Sequence, residues 1–165
     1  MNHTDDPAQT AATTDADFDP GQSTVMVVDD NEQNLELLQA YLESLGCAIE
    51  TARDGLEAVA RLDQPDKPLP DLILLDVMMP RMSGFEVCRK IKEDPRTRSI
   101  PVMMVTALNE LGDIERGVES GTDDFVTKPV NKLELFARLQ AQLHSRELER
   151  RMEATAATVA GMEKK

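Results

Sequence analysis

The chain has 165 residues, 41% hydrophobic and 30% charged, which is typical of one globular domain with tails and not of a fibrous protein. Its net charge of −13 disfavours direct nucleic-acid binding, because that function needs a basic face. No segment has the ~18 consecutive apolar residues of a membrane span, and the acidic N-terminus does not resemble a secretory signal. Cys47 and Cys88 have no metal or redox spacing and are expected to be reduced, buried thiols. We therefore expect a cytoplasmic protein with no membrane contact.

Residues 1–22 carry five Asp and no Lys or Arg, and Phe18 is their single aromatic side chain. Such a segment buries too little apolar surface to offset its ordering entropy. It is predicted to be a disordered acidic tail.

Strands and helices are predicted to alternate from Thr24 onward. The apolar run at 24–28 is typical of a strand buried on both faces. The helix that follows ends at Gly46 and has one apolar face, formed by Leu35, Leu38, Leu42 and Leu45. A strand at 47–52 and a short helix at 54–64 come next.

The second half of the chain continues this alternation. After the proline-rich loop "PDKPLP", the run 71–76 is the clearest buried strand, and a capping box of Ser83 and Glu86 opens the next helix. A fourth strand is predicted at 100–107, a helix at 110–121 and a fifth strand at 124–128. Asn131 and Glu134 form a second capping box, which begins a helix that continues past Arg150.

Five strands alternating with five helices predict an α/β fold, a doubly wound layer with a parallel sheet. In such sheets, functional groups gather beyond the carboxyl ends of the strands. The residues at those ends are Asp29, Asp30, Asp76, Thr106 and Lys128. Each alone is commonly a solvated turn residue or an ordinary strand residue. Together they point to one site.

Three carboxylates, a hydroxyl and an ammonium group in one crevice fit a hard cation such as Mg²⁺, which prefers oxygen ligands. A carboxylate beside Mg²⁺ is a competent nucleophile toward phosphorus, which suggests Asp76 for that role. Lys128 and Thr106 would then donate to the remaining phosphoryl oxygens. The pair Asp29–Asp30 is interpreted as a Mg²⁺ cradle for an aspartyl phosphate.

At these residues the chain closely resembles the receiver domain of two-component response regulators. The matching segments are "VVDDN" (27–31), "LILLDVMMPRMSGFE" (72–86), "VMMVTA" (102–107) and "DDFVTKP" (123–129). The resemblance covers roughly residues 24–145 and implies a receiver domain over 23–145. It also implies a flavodoxin-like (βα)5 fold with a five-stranded parallel sheet in the order 2-1-3-4-5.

The resemblance implies a role for each site residue. Asp76 would be the phosphoacceptor, Asp30 a direct Mg²⁺ ligand, and Asp29 a ligand acting mostly through a water molecule. The backbone carbonyl of Met78 would complete the metal site, and Lys128 would pair with the phosphate.

Further positions match the receiver pattern around the site. Thr106 would be the switch hydroxyl, Phe125 the rotating aromatic switch in place of a common tyrosine, and Pro129 the residue of a cis peptide bond. Pro80 and Gly84 match the loop after the acceptor.

The implied function is a phosphorylatable switch without other enzymatic activity. It takes its phosphoryl group from a sensor histidine kinase by catalysing its own phosphotransfer, and signals to a downstream protein target. Met78 and Leu108 are apolar and would not orient an attacking water molecule, so slow autodephosphorylation is expected. The alternative is a phosphorelay shuttle that passes the phosphoryl group to a histidine phosphotransfer protein.

Two other classes fit less well. Phosphatases of the haloacid dehalogenase type have an Asp-x-Asp nucleophile motif, and here Met78 stands at the second Asp. A flavodoxin-like nucleotide binder needs a glycine- or hydroxyl-rich phosphate loop after the first strand, where this chain has "DDNEQN".

Residues 146–165 are predicted to be a helical extension or tail, too short for an output domain, so the receiver is expected to act alone. Leu139, Leu143, Leu148 and Met152 suggest one imperfect apolar stripe, too irregular to specify a coiled coil. A frayed tail and a helix that forms a homodimer or docks a partner remain alternatives.

Overall fold

The computed structural model describes residues 19–107 and 111–163. Most of the predicted tail, and Leu108, lie outside these ranges. The last residues assigned to that tail form a 3₁₀ turn, Pro20–Gln22, which contacts the C-terminal helix. No helix in the described ranges combines the length and the apolar character that crossing a membrane requires.

The five predicted strands form one parallel sheet. They are β1 (Thr24–Val28), β2 (Ala48–Ala52), β3 (Leu72–Asp76), β4 (Val102–Thr106) and β5 (Asp124–Thr127). Their order is β2-β1-β3-β4-β5, and every neighbouring pair is parallel. The doubly wound, flavodoxin-like fold and its strand order are confirmed.

Helices connect the strands and cover both faces of the sheet. They are α1 (Glu32–Leu45), α2 (Gly55–Leu62), α3 (Gly84–Glu93), α4 (Leu111–Ser120) and α5 (Lys132–Glu163). Both predicted capping boxes have their first hydrogen bond: the Glu86 N–H donates to Ser83 Oγ at 3.3 Å, and the Glu134 N–H donates to Asn131 Oδ1 at 3.0 Å. Helix α1 ends at Gly46, whose φ of 82° is the left-handed conformation that glycine adopts without strain.

Alternate strand residues point to opposite faces of the sheet and build two apolar layers. One layer packs the strands against α1 and α5, and the other packs them against α2 and α3. All five residues of β3 are buried, as expected for a central parallel strand covered on both sides. The two cysteines form no disulfide in the described ranges and are buried, Cys47 in the first layer and Cys88 in the second.

The apolar stripe predicted along the C-terminal helix is two separate stripes. Leu139 and Leu143 are buried against the sheet, whereas Leu148 is 46% exposed and Met152 is 71% exposed. The reason is helical geometry: at about 100° per residue, Leu148 lies about 140° around α5 from Leu143. The two pairs therefore face in opposite directions.

Gly84 lets α3 begin directly against the end of β3. Its N–H donates to the carbonyl of Val77 at 2.9 Å. A Cβ on this residue would lie 2.3 Å from the backbone oxygen of Asp76 and 2.8 Å from the Cα of Val77. Backbone atoms cannot move aside as a flexible side chain does, so any larger residue must displace α3 from Asp76.

We predict that Gly84→Ala lowers the free energy of unfolding by about 1–3 kcal/mol, the usual cost of overpacking a close contact. Gly161→Ala is the matched control, because no atom lies within 4 Å of a Cβ at that exposed helical position. Alanine is there the better helix former, so the control should unfold no earlier than wild type. Urea unfolding followed by circular dichroism measures both; equal midpoints for the two variants would contradict this account of Gly84.

Candidate functional site

Four strand ends meet at one edge of the sheet and carry polar side chains there. β1, β3, β4 and β5 are consecutive neighbours and all parallel, so their carboxyl ends lie side by side. The residues that end or follow these strands are Asp29, Asp30, Asp76, Thr106 and Lys128. These five residues therefore lie together at the carboxyl edge of the sheet, where a site was predicted from the sequence.

The acidic cluster consists of Asp29, Asp30 and Asp76. One carboxylate oxygen from each lies within 4.8 Å of the others. Asp29 and Asp76 are only 1% and 3% exposed, whereas Asp30 is exposed. Like charges this close repel, and burial strengthens the repulsion because it removes the screening water. The arrangement favours a bound cation.

Asp29 is held by the backbone around it. Its N–H donates to the carbonyl of Ala52 at 3.1 Å, and its Oδ1 accepts from the N–H of Asn31 at 2.9 Å. Asn31 also caps α1, since its side chain accepts from the N–H of Asn34 at 3.1 Å. This capping role of Asn31 was not predicted from the sequence, although an Asn just before an apolar helix is a recognised capping signal.

Lys128 supplies the positive charge of the site. Its Nζ donates to Asp76 Oδ1 at 3.0 Å and lies 3.8 Å from Asp29 Oδ2. The backbone N–H of Lys128 donates to the carbonyl of Thr106 at 2.8 Å, which ties the ends of β4 and β5 together. The peptide bond from Lys128 to Pro129 is cis. The ammonium group of Lys128 thus lies against two of the three carboxylates of the acidic cluster.

The pKa of Asp76 is raised above its ordinary value. Burial is the largest cause, and the negative charges of Asp29 and Asp30 act in the same direction. The hydrogen bond and charge of Lys128 oppose the rise without cancelling it. Ionising Asp76 therefore costs more free energy than ionising an ordinary aspartate, and a further positive charge nearby would reduce that cost.

The donor set fits Mg²⁺, which takes oxygen ligands from one or two carboxylates and from water. The most specific observation is Asp29 Oδ2, which is buried and has no hydrogen-bond partner within residues 19–107 and 111–163. A buried carboxylate oxygen without a hydrogen-bond donor is costly, and a metal ion or its bound water molecule would satisfy it.

The loop after Asp76 contains the other predicted metal-site residue. Met78 follows β3 by two residues, and its side chain is 67% exposed. Arg81 has a φ of 69°, a left-handed conformation that is uncommon for a residue other than glycine. A tight turn, in which the N–H of Met82 donates to the carbonyl of Pro80 at 2.8 Å, returns the chain to α3.

The two predicted switch residues lie at different depths. Thr106 is 5% exposed at the end of β4. Phe125 lies two residues deeper in the sheet, opposite Met104, and its ring is partly buried. The ring lies on the backbone of α4, because a Cβ on Gly117 would come within 2.4 Å of Phe125 Cζ. Phe125 is therefore turned inward between β4 and α4 and is not part of the acidic cluster.

A cavity of about 260 Å³ opens beside the acidic cluster, between α1 and the loop from β5 to α5. Asp29 and Lys128 form its charged end. Most of its remaining wall is apolar, formed by Leu37, Leu38, Tyr41, Val105, Pro129 and Val130. A partner that approaches Asp76 from this side meets an apolar surface next to the charged groups.

Sequence comparisons identify relatives with this pattern. The family described as response regulator receiver domain matches residues 25–140. Response regulator PleD of Caulobacter vibrioides is 51% identical over 117 residues, which cover 71% of this chain and 25% of PleD. The phosphate regulon transcriptional regulatory protein PhoB of Rhizobium meliloti is 41% identical over 119 residues, or 72% of this chain and 51% of PhoB. The chain thus spans a quarter to a half of these relatives.

Solved structures agree. The signal receiver domain of a signal transduction histidine kinase from Syntrophus aciditrophicus is 37% identical with a TM-score of 0.70, covering 75% of this chain and 92% of that chain. The receiver domain of sensor histidine kinase PA1611 from Pseudomonas aeruginosa is 30% identical with a TM-score of 0.68, covering 74% and 98%. That crystal structure has a magnesium ion coordinated in its active site cleft.

The predicted family is confirmed by these matches and by the strand order of the sheet. Members of this family are signalling switches of two-component systems, which interact with histidine kinases and downstream effectors and bind Mg²⁺ at an acidic pocket. This chain belongs to the response regulator receiver domain family.

Proposed function

We propose that this chain accepts a phosphoryl group from the phosphohistidine of a sensor histidine kinase onto Asp76, in a reaction that requires Mg²⁺. The phosphorylated chain then signals through protein contacts. The observation that supports this most is the setting of Asp76, a buried carboxylate 3.0 Å from Lys128 Nζ and within 4.8 Å of two further carboxylates. We expect the reaction in the cytoplasm, since two buried cysteines that form no disulfide in the described ranges fit a reducing compartment.

The transfer is a displacement at phosphorus. The N–P bond of the phosphohistidine breaks, an O–P bond to Asp76 forms, and the imidazole leaves with the electron pair. Lys128 binds Oδ1 of Asp76, which leaves Oδ2 as the attacking oxygen. The ammonium group favours the ionised form of Asp76 and remains beside the new phosphoryl group, where it binds one of the three phosphoryl oxygens.

Asp29, Asp30, Asp76 and the backbone carbonyl of Met78 would hold Mg²⁺. When bound, the ion neutralises charge on the carboxylates and on the phosphoryl oxygens. Asp29 contributes the buried oxygen that otherwise has no hydrogen-bond partner within the described ranges. The N–H of Asn31 keeps that carboxylate in position through its other oxygen.

Thr106 and Phe125 transmit the change in this proposal. The Thr106 hydroxyl moves toward a phosphoryl oxygen, and its displacement changes the space between β4 and α4 where the ring of Phe125 packs on Gly117. The affected surface is α4 with β5. Exposed apolar side chains are already present on α4 at Ile114 and Val118.

A shuttle that passes the phosphoryl group to a histidine phosphotransfer protein is the second candidate. It is favoured by the similarity to two receiver domains that belong to histidine kinases. Adding histidine phosphotransfer proteins to the phosphorylated chain separates the two roles: a shuttle loses its phosphoryl group to one of them within the transfer assay, and a terminal switch does not.

We predict that acetyl phosphate and Mg²⁺ add one phosphoryl group to the wild-type chain, measured by intact mass. Asp76→Asn should show no adduct, because its amide is not a nucleophile toward phosphorus. Asp66→Asn, an exposed acid between α2 and β3, is the matched control and should be phosphorylated normally. The proposal fails if wild type gains no phosphoryl group while a known receiver does, or if Asp76→Asn gains one.

We predict that Mg²⁺ raises the free energy of unfolding of the wild-type chain. A ligand that binds only the folded state at a hundredfold excess over its Kd adds about 2.7 kcal/mol. Asp30→Asn should remove most of this gain, and Asp66→Asn should keep it. Thermal unfolding with and without Mg²⁺ measures the effect. An equal gain in both variants would show that Mg²⁺ binds elsewhere than the acidic cluster.

We predict that Met78→Asn shortens the lifetime of the aspartyl phosphate by about tenfold or more, because an amide can orient the attacking water molecule and a thioether cannot. Leu56→Asn, which changes a similarly exposed apolar residue on α2, should leave the lifetime unchanged. Decay of the phosphorylated mass after removal of acetyl phosphate gives both values. An unaltered lifetime in Met78→Asn would refute the proposed cause of slow hydrolysis.

A further inference from the structure

The last part of α5 extends away from the receiver domain as an uncovered helix. Every residue from 148 to 161 is exposed. The segment includes Thr155, Thr158 and Gly161, which are poor helix formers, and the two threonine hydroxyls donate only to carbonyls of the same helix. The segment gains no stability from packing against the domain, so an apolar partner surface would stabilise it.

This segment, residues 148–163 and here called the extension, carries a regular apolar seam. Leu148, Met152, Thr155 and Val159 follow one another at spacings of four, three and four residues. Spacings that alternate between four and three residues make a seven-residue repeat, which is the repeat of a left-handed coiled coil. Leu148, Met152 and Val159 are 46%, 71% and 49% exposed, so the seam is open to a partner.

The seam faces away from the domain that carries it. Met152 is nine residues after the buried Leu143, which places it about 180° around the helix. The opposite side of α5 is attached to the sheet, because Arg150 Nη2 donates to Asp71 Oδ1 at 2.9 Å just before β3. The partner is therefore another chain and not this receiver domain.

We propose that the extension pairs with the same segment of a second copy of this chain, as a parallel two-stranded coiled coil. Charge permits a second copy at this place. The chain as a whole carries a net charge of −13, which opposes self-association, but residues 148–163 contain only two basic and three acidic side chains. The extension is thus a nearly neutral segment on a strongly acidic protein.

The residue types along the seam favour the parallel two-stranded form. With Met152 at heptad position a, Val159 also falls at a and Leu148 at d, and β-branched residues at a with Leu at d favour parallel dimers. Thr155 falls at d, where a threonine packs less apolar surface than leucine and so weakens the pair. One turn and two turns earlier the seam continues through Ser145 and Ala141, small residues that let two helices approach.

The oligomeric state of the full chain tests the proposal. Sedimentation equilibrium from micromolar to near-millimolar concentration should give a monomer–dimer equilibrium for wild type. Met152→Glu combined with Val159→Glu should be monomeric throughout. Glutamate is a good helix former, so these substitutions act on the seam and not on helix propensity.

The matched control is Ala154→Glu combined with Ala157→Glu, which adds the same charge on the other side of the extension and should dimerise like wild type. A wild-type chain that is monomeric at all concentrations would overturn the proposal and point to a helix of a different protein. A dimer that survives Met152→Glu with Val159→Glu would overturn it as well, because the contact would then lie elsewhere.

Cysteine cross-linking tests the orientation. In the parallel pair, two copies of residue 155 face each other across the seam, so Thr155→Cys should form a disulfide-linked dimer under mild oxidation. Ala157→Cys, on the outer side, should not. The native Cys47 and Cys88 are buried in the domain and should not react. Cross-linking of Ala157→Cys without Thr155→Cys would exclude the proposed pairing.

Discussion

The repulsion among three carboxylates at one edge of the sheet is the constraint on which the rest of this structure depends. Oxygens of Asp29, Asp30 and Asp76 lie within 4.8 Å of one another, and Lys128 reaches only part of that negative charge. With Lys128, the three acids follow or end β1, β3 and β5, so the site exists only when the sheet is assembled in its order. The raised pKa of Asp76 indicates that the fold carries an unfavourable charge at this edge. A bound cation offsets that cost, and phosphorylation of Asp76 would change the charge at this edge. A switch requires such a local change of charge.

The same arrangement connects the site to two distant surfaces. Lys128 and Thr106 end neighbouring strands and are joined by a backbone hydrogen bond of 2.8 Å. Deeper in this strand pair, Phe125 lies opposite Met104 and against Gly117, so a shift at the strand ends bears on α4. At the amino ends of the strands, Arg150 of α5 binds Asp71 just before β3. The C-terminal part of α5 carries the proposed dimer seam. A change in the domain can thus act on a second copy through one continuous helix, α5.

The strand ends were predictable because parallel connections and buried apolar runs leave few alternatives, and polar residues that end such runs must share one edge of the sheet. The capping residues Ser83 and Asn131 were predictable because their partners lie three residues away in the chain. Features that depend on three-dimensional approach were not. The hydrogen bond that positions the Asp29 carboxylate is donated by the backbone N–H of Asn31, and no side-chain pattern in the sequence reveals it. The two apolar stripes of α5, by contrast, could have been separated from the sequence, because Leu143 and Leu148 are five residues apart and lie about 140° apart around a helix.

The central claim is that Mg²⁺ relieves the charge repulsion within the acidic cluster, and the pKa of Asp76 is a direct measure of that repulsion. Following the side-chain carboxyl carbon by NMR during a pH titration, with Asp76→Asn to assign the signal, measures this pKa. Without metal, the account predicts a value above that of an ordinary aspartate, and a stability that falls as pH rises through the interval between the ordinary and the raised pKa. Saturating Mg²⁺ should lower the value markedly. An ordinary pKa that Mg²⁺ does not change would contradict the account.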